Sequence, residues 1–255
     1  MGLIVMTQLS VNLNKIALLR NSRGGDYPNC LSFARRCIAC GANGVTVHPR
    51  PDQRHTRYSD VRDLSAFLNN QTKVEFNIEG NPTPEFLEVV KEVKPNQCTL
   101  VPDSPDQITS DHGWDLKSNS NQLIPIIQSL KAHNIRVSIF MDPDISEIER
   151  AQDVGTDRIE LYTESYARAF ETGDRISIFN QFQRATESAQ SLGLGVNAGH
   201  DLNQRNLPLF LTIPGILEVS IGHAIIVESL DQGFDSTVRK YRRIVQGSCP
   251  VPGFF

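Results

Sequence analysis

Short apolar runs recur along the chain, and longer segments between them carry apolar residues at every third or fourth position. The short runs predict buried β-strands, and the longer segments predict amphipathic helices. Eight strands are predicted, at residues 9–14, 44–48, 74–78, 97–101, 136–141, 158–162, 195–198 and 218–221. Because strands and helices alternate, we expect a parallel sheet.

The helices between the strands are predicted from their apolar spacing at residues 31–40, 60–68, 84–93, 123–133, 146–154, 175–192 and 236–245. Gly41, Gly155 and Gly193 each follow a predicted helix, at a position where a left-handed residue commonly ends one. Two connections are long: residues 162–193 have room for an extra helical turn, and residues 102–121 form a polar loop of the kind that covers a site. Eight units without a G-x-G-x-x-G fingerprint after the first strand favour a closed (β/α)8 TIM barrel over an open doubly wound sheet.

The length of 255 residues agrees with a single barrel of this kind. We therefore expect one domain over residues 1–255, with residues 248–255 as a C-terminal tail. A formal charge of -4 provides no basic field for nucleic acid or anionic lipid, so neither is an expected partner. No apolar run is long enough to span a membrane and no signal peptide is visible, which together predict a cytoplasmic location.

The chain has five cysteines, an odd number that does not suggest a disulfide framework. Cys37 and Cys40 have the C-x-x-C spacing of some zinc and redox sites. However, no second ligand pair follows at zinc-site spacing, and the pair lies late in a predicted helix rather than at its start. This favours ordinary helix packing over either site.

In a (β/α)8 barrel the active site is built at the carboxyl ends of the strands. In this chain those positions hold many residues capable of acid–base chemistry or anion binding: Asn12, Asn14, Lys15, His48, Arg50, Glu79, residues 160–163, His200, Gly222 and His223. One histidine at a strand end is more often structural than catalytic. Three of the six histidines end three different strands, and only the barrel mouth brings such positions together.

Phosphate binding is suggested at two places. Glycine precedes His200 and His223 after the last two strands, where barrels commonly bind phosphate through backbone N–H groups. A second cluster follows the first and second strands and consists of Arg20, Arg23, Arg50, Arg54 and His55. Arginine side chains suit phosphate oxygens, although a solvated charged loop is an alternative for Arg20 and Arg54.

Six segments in order along the chain resemble the pyridoxine 5′-phosphate synthase family. They are residues 10–24 (SVNLNKIALLRNSRG), 44–55 (GVTVHPRPDQRH), 76–80 (FNIEG), 99–103 (TLVPD), 196–200 (VNAGH) and 220–224 (SIGHA). The resemblance implies a (β/α)8 barrel that assembles into homo-octamers and needs no metal or organic cofactor. It also implies two small phosphorylated substrates, 3-amino-2-oxopropyl phosphate and 1-deoxy-D-xylulose 5-phosphate.

The resemblance further implies a role for each matching position. His48 and Glu79 would accept protons, His200 would donate one, and Glu160 would stabilise developing positive charge. The amino-ketone phosphate would be held by Asn12, Arg23, Gly222 and His223. The pentulose phosphate would be held by Arg50, His55 and Thr109. The chain departs from one common form of the family at three further substrate-binding positions: Asn14 and Lys15, where an Asp-His pair can stand, and Asp201, where glycine can stand.

Three other functions remain open from the residues alone. A metal-dependent hydrolase usually has an H-x-H pair on its first strand, whereas this chain has Asn12 and Asn14 there. A Schiff-base aldolase needs a lysine in the barrel mouth, and Lys15 is the only lysine at a strand end. A barrel that binds a metabolite without turnover would not need the acid–base set of His48, Glu79 and their partners.

Overall fold

The computed structural model describes residues 6–104, 107 and 109–247. Eight parallel strands pair in chain order, and pairing of the first with the last closes them into a barrel, as predicted. The strands are β1 (Gln8–Asn12), β2 (Gly44–Val47), β3 (Glu75–Gly80), β4 (Gln97–Leu100), β5 (Arg136–Met141), β6 (Arg158–Tyr162), β7 (Gly195–Gly199) and β8 (Ile216–Ile221). The predicted tail at residues 248–255 lies outside the described residues.

Helices surround the barrel and connect successive strands. They are α1 (Asn14–Asn21), α2 (Cys30–Ala39), α3 (Tyr58–Leu68), α4 (Pro84–Val93), α5 (Leu116–Lys131), α6 (Ile145–Ala151), α7 (Glu164–Phe170), α8 (Arg175–Ser191), α9 (Leu207–Phe210), α10 (His223–Gln232) and α11 (Phe234–Val245). The extra helical turn predicted between β6 and β7 is α7. Gly41, Gly155 and Gly193 all have positive φ, which confirms their predicted role after a helix.

Several predicted boundaries differ from the structure by two or more residues, and two of them have clear local reasons. Strand β1 ends at Asn12 rather than residue 14, because the Asn12 side-chain oxygen accepts the backbone N–H of Asn14 and turns the chain into α1. Helix α5 begins at Leu116, where the Asp115 side chain caps it by accepting from Ser118. The loop predicted at residues 102–121 is correspondingly shorter and ends at residue 115.

Alternate residues of each strand face opposite sides of the barrel wall. The outward side chains, such as Val45, Ile78 and Ile139, pack with the helices in the hydrophobic core. Inward side chains are polar at nearly every level, and hydrogen bonds link several of them across strands, including Ser10 to Thr46 at 2.7 Å. The hydrophobic core is therefore a ring between sheet and helices, and the polar barrel interior forms a floor beneath the mouth.

Cys37 is buried on the core side of α2, and Cys40 ends that helix. Both are free thiols, and burial is the main cause that raises the pKa of each. This confirms helix packing for the C-x-x-C pair. A thiol kept protonated by burial is a poor nucleophile and a poor metal ligand.

Candidate active site

The carboxyl end of the barrel opens into a cavity of about 340 Å³. It is lined by every predicted site residue except Arg23, namely Asn12, Asn14, Lys15, His48, Arg50, His55, Glu79, Thr109, Glu160, His200, Asp201, Gly222 and His223. These residues come from strands and loops spread over the whole chain. Closure of the barrel brings them together, and a cavity of this size can enclose small substrates.

Two arginines predicted near the first loop lie elsewhere. Arg23 is exposed and outside the cavity lining, so its predicted contact with phosphate stays a prediction. Arg20 is 1% exposed and forms an ion pair with Asp60, with an Nη2 to Oδ2 distance of 2.8 Å. Because its guanidinium is committed to Asp60 and to the carbonyl of His55, Arg20 supports the loop instead of facing the cavity.

Three carboxylates stand close together inside the barrel. Glu79 Oε2 accepts a hydrogen bond from Asn12 Nδ2 at 3.3 Å, and Glu160 Oε2 accepts one from the Thr99 hydroxyl at 3.4 Å. Glu218 lies beneath them, linked to Asn197 at 3.5 Å. Burial first, and then repulsion from neighbouring carboxylates, raises the pKa of Glu79 well above its ordinary value and that of Glu160 to about 8. The pKa of Glu218 is raised to about 7, also mainly by burial.

The Glu160 side chain fits against β7 because the strand has a glycine, Gly199, at this position. Gly199 faces Glu160 so closely that a Cβ at position 199 would overlap the Glu160 carboxylate. Gly222 similarly lies against Asn12, where an added Cβ would be 3.0 Å from the Asn12 Cβ. The two glycines in the sequence motifs therefore allow close approach of strand ends to the Glu160 and Asn12 side chains.

His200 follows β7 between two aromatic rings. Its ring centroid is 5.0 Å from that of Phe140 and 5.3 Å from that of Tyr162. Its backbone φ of 74° is held by Thr163, whose hydroxyl donates to the Gly199 and His200 carbonyls. Burial, followed by the charges of Arg50 and Lys15, lowers the pKa of His200 to about 4, so the free imidazole is neutral near pH 7.

Positive charge from Arg50 and Lys15 is concentrated on the opposite side of the cavity, near the segment after β2. Arg50 is 4% exposed and donates to the Gln107 carbonyl at 2.8 Å. His55 has its pKa lowered to about 4, first by burial and then by Arg50 and Lys15. This crowding of positive charge in a concave, partly desolvated site favours a multiply charged anion.

A second place suited to anions lies at the start of α10. The helix begins at His223, directly after Gly222, and both residues line the cavity. Its ten residues align their first N–H groups toward the mouth, where the helix dipole favours negative charge. Two regions suited to anions thus flank one set of acid–base side chains.

Sequence reasoning missed several residues that the fold brings to this site. Ser220 lines the cavity, and Glu218 lies in the floor below it. The alternation of polar and apolar residues in β8 was a usable signal for these inward positions. Asp103 was also missed: it pairs with Arg50 and lies 3.9 Å from His48.

Two other features concern the described part of the chain only. Among residues 6–104, 107 and 109–247, no group of three or more His, Cys, Asp or Glu side chains is arranged to hold a metal ion. Within the same ranges, no helix combines the length and apolar character needed to cross a membrane.

The fold and the cavity together define a (β/α)8-barrel enzyme with acid–base groups set between two regions suited to anions. The family profile for pyridoxal phosphate biosynthesis protein PdxJ matches residues 9–247, and the chain belongs to this family. A pyridoxine 5′-phosphate synthase of Xanthomonas oryzae pv. oryzae is 53% identical over 250 residues, covering 95% of this chain and 98% of that protein. Another, from Porphyromonas gingivalis, is 50% identical over 238 residues, covering 93% and 98%.

Solved structures support the architecture. A phosphoribosyl anthranilate isomerase from Thermotoga maritima aligns with a TM-score of 0.62 at 16% identity, over 95% of this chain and 100% of that one. At this identity the likeness shows the barrel fold alone.

Proposed function

We propose that this chain is a pyridoxine 5′-phosphate synthase, which condenses 3-amino-2-oxopropyl phosphate with 1-deoxy-D-xylulose 5-phosphate to give pyridoxine 5′-phosphate, inorganic phosphate and water. The relatives with this name share about half of its residues over nearly the full length. The observation that carries the proposal is a single cavity in which carboxylates and imidazoles converge between two anion-binding regions.

The buried carboxylates can provide the base for the first chemical step. An amino-ketone arrives largely as an ammonium ion, which cannot attack a ketone until it loses a proton. Burial and mutual repulsion raise the pKa values of Glu79 and Glu160 in the free protein, and the positive charge of a bound ammonium ion would lower both, which favours the ionised carboxylate that accepts its proton. We assign Glu79 as a proton acceptor and Glu160 as the group facing positive charge on the developing imine.

The lowered histidine pKa values suit the later proton transfers. His48 and His200 are neutral in the free enzyme, because burial and nearby cations disfavour their charged forms. The substrate phosphates would partly offset those cations, which raises both pKa values in the complex. We propose that His48 accepts a proton from substrate and that His200 donates one to a leaving group.

Substrate phosphates are assigned to the two flanking regions. The amino-ketone phosphate would bind Asn12, Gly222 and His223, with Arg23 as a further predicted contact. The pentulose phosphate would bind Arg50, His55 and Thr109. Asn14, Lys15 and Asp201, the three positions that depart from one family form, are also proposed to bind substrate.

These three residues have different structural surroundings. The Asn14 side-chain oxygen accepts from the His48 backbone at 2.8 Å and from the Thr56 hydroxyl at 2.9 Å, so Asn14 also joins the start of α1 to the segment after β2. Asp201 has a φ of 56°, in the left-handed region that favours glycine but that aspartate tolerates. Lys15 lies in the cavity lining, where its charge contributes to the lowered pKa values of His55 and His200.

The imine of this reaction joins the two substrates, so no protein lysine is needed as a nucleophile. Each remaining step is a proton transfer, a loss of water or phosphate, or a ring closure, and requires no metal or organic cofactor. We also propose self-association as a homo-octamer and a cytoplasmic location. The mass of the native particle by light scattering tests the first, and cell fractionation tests the second.

The proposed reaction is tested by supplying amino-ketone phosphate labelled with ¹⁵N together with unlabelled pentulose phosphate. The nitrogen should appear in the pyridine ring of the product, detected as a mass increase of one unit. A labelled amine that never enters a ring product, with protein shown to be folded, would reject the proposal.

A further inference from the structure

Asp103, outside the predicted site set, is a carboxylate with an unusual combination of contacts. It follows β4 and is 4% exposed. Its Oδ2 atom accepts hydrogen bonds from Arg50 and from the Ser110 hydroxyl, the latter at 2.8 Å. Its Oδ1 atom has no side-chain or backbone donor among the described residues. A buried acceptor with unused capacity beside a catalytic cavity calls for a functional explanation.

The imidazole of His48 lies between two carboxylates. Its Nδ1 atom is 4.0 Å from Glu79 Oε2, and its Nε2 atom is 3.9 Å from Asp103 Oδ2. Glu79 lines the main cavity, whereas Asp103 lines a smaller pocket behind His48, together with Pro49 and Phe86. Nδ1 therefore faces the side where substrates bind, and Nε2 faces away from it.

We infer that Asp103 is a positioning residue that keeps the proton of neutral His48 on Nε2 and so leaves Nδ1 as the proton acceptor toward the cavity. The inference rests on the proposed function, in which His48 is a base. A shift of about 1 Å would bring Nε2 into hydrogen-bond range of the carboxylate. The nitrogen that carries the proton in a histidine is set by the hydrogen bond of the other nitrogen.

The proton balance of this arrangement is simple. His48 Nδ1 takes a proton from the substrate, and the electron pair of the broken bond stays on the substrate. The resulting imidazolium has protons on both nitrogens, and the Asp103 carboxylate faces its positive charge. The proton then leaves from Nδ1, so Asp103 orients the base and is never consumed.

Asp103 also connects the base to substrate binding. Arg50, proposed to bind the pentulose phosphate, donates to Asp103 and to the Gln107 carbonyl. Ser110, in the segment after β4, donates to the same carboxylate. One side chain thus fixes the imidazole, the arginine and part of the loop at the cavity edge.

The decisive test is the position of the His48 proton, measured by ¹⁵N NMR of the imidazole nitrogens at pH 7 in wild-type protein and in Asp103→Asn. A His48→Gln variant assigns the signals. We expect Nε2–H in the wild type. In Asp103→Asn the amide can donate to Nε2, which moves the proton to Nδ1, and turnover should fall about 10-fold to 100-fold, as when other orienting partners are lost.

Two control variants separate positioning from general damage. Asp235→Asn removes a carboxylate from an ion pair with Arg36 (2.8 Å) on the outside of the barrel, and it should keep both the tautomer and turnover. Asp103→Glu keeps the charge and should restore the Nε2 proton and part of the turnover.

If His48 of the wild type carries its proton on Nδ1 and none on Nε2, the inference is overturned without any variant. An unchanged Nε2–H in Asp103→Asn would also overturn it, whatever the turnover of that variant. Because the tautomer is read without substrate, this result stands apart from the test of the reaction itself: protein that makes no product refutes the proposed function and leaves the Asp103 measurement intact.

Discussion

Replacing Glu160 with glutamine should make the protein more stable at alkaline pH while removing a carboxylate that we propose takes part in the reaction. Glu160 is 1% exposed and shares the barrel interior with Glu218 and Glu79. Its raised pKa means that the folded state holds a proton that the unfolded chain has already lost. Stability is therefore lost as pH rises from the ordinary carboxyl pKa of 4.5, and the loss is complete above about 8.

The size of the effect follows from those two values. A pKa unit corresponds to about 1.4 kcal/mol, so ionising Glu160 in the folded state costs at most about 5 kcal/mol at pH 9. Rearrangement of the interior and linked protonation of Glu218 reduce this cost, and we expect ionised Glu160 to lower the free energy of unfolding by about 2–4 kcal/mol. For a chain of 255 residues, each kcal/mol shifts the melting temperature by roughly 2–4 °C.

The assay is thermal unfolding of wild type and Glu160→Gln from pH 5 to pH 9 at fixed protein concentration. The melting temperatures should be similar at pH 5, and the variant should melt higher by roughly 4–15 °C at pH 9. Glu92→Gln, which changes a surface carboxylate paired with Arg62, should show no such pH-dependent gain. Equal melting temperatures for Glu160→Gln and wild type at pH 9 would refute the conclusion that ionised Glu160 destabilises the folded protein.

Three further predictions concern the cavity. Glu79→Gln and His200→Asn should each lower turnover by roughly 100-fold or more with substrate binding largely kept, and near-normal kcat in either would reject its proton-transfer role. Lys15→Met should weaken pentulose phosphate binding about 10-fold to 100-fold in calorimetry and leave amino-ketone binding unchanged; a borohydride-trapped substrate adduct on Lys15 would instead favour aldolase-like chemistry. Crystals soaked in phosphate should bind anions near Gly222 and near Arg50, and anions found only at the opposite end of the barrel would contradict the assignment.

The barrel could be predicted because its signals are local and repeated. The strands at residues 136–141 and 158–162 have the predicted bounds, since each is a short segment rich in β-forming residues that follows a helix and a turn. The location of the site residues at strand ends could be predicted from one rule, that parallel strands of a closed barrel end at a common mouth.

Other features depend on contacts between distant segments, which no local pattern encodes. Helix α10 was not predicted, because the β-branched run from Ile225 to Val227 has no helical polar–apolar period. The position of Arg20 is set by Asp60, forty residues away in the chain. Asp103 gains its role only because folding brings it beside His48 and Arg50.

The central claim is tested most directly by incubating the purified protein with both phosphorylated substrates and measuring pyridoxine 5′-phosphate and inorganic phosphate together. The account predicts that the two products form in equal amounts, only when both substrates are present. Well-folded protein that yields neither product, or that releases phosphate from one substrate alone without forming the ring, would contradict it.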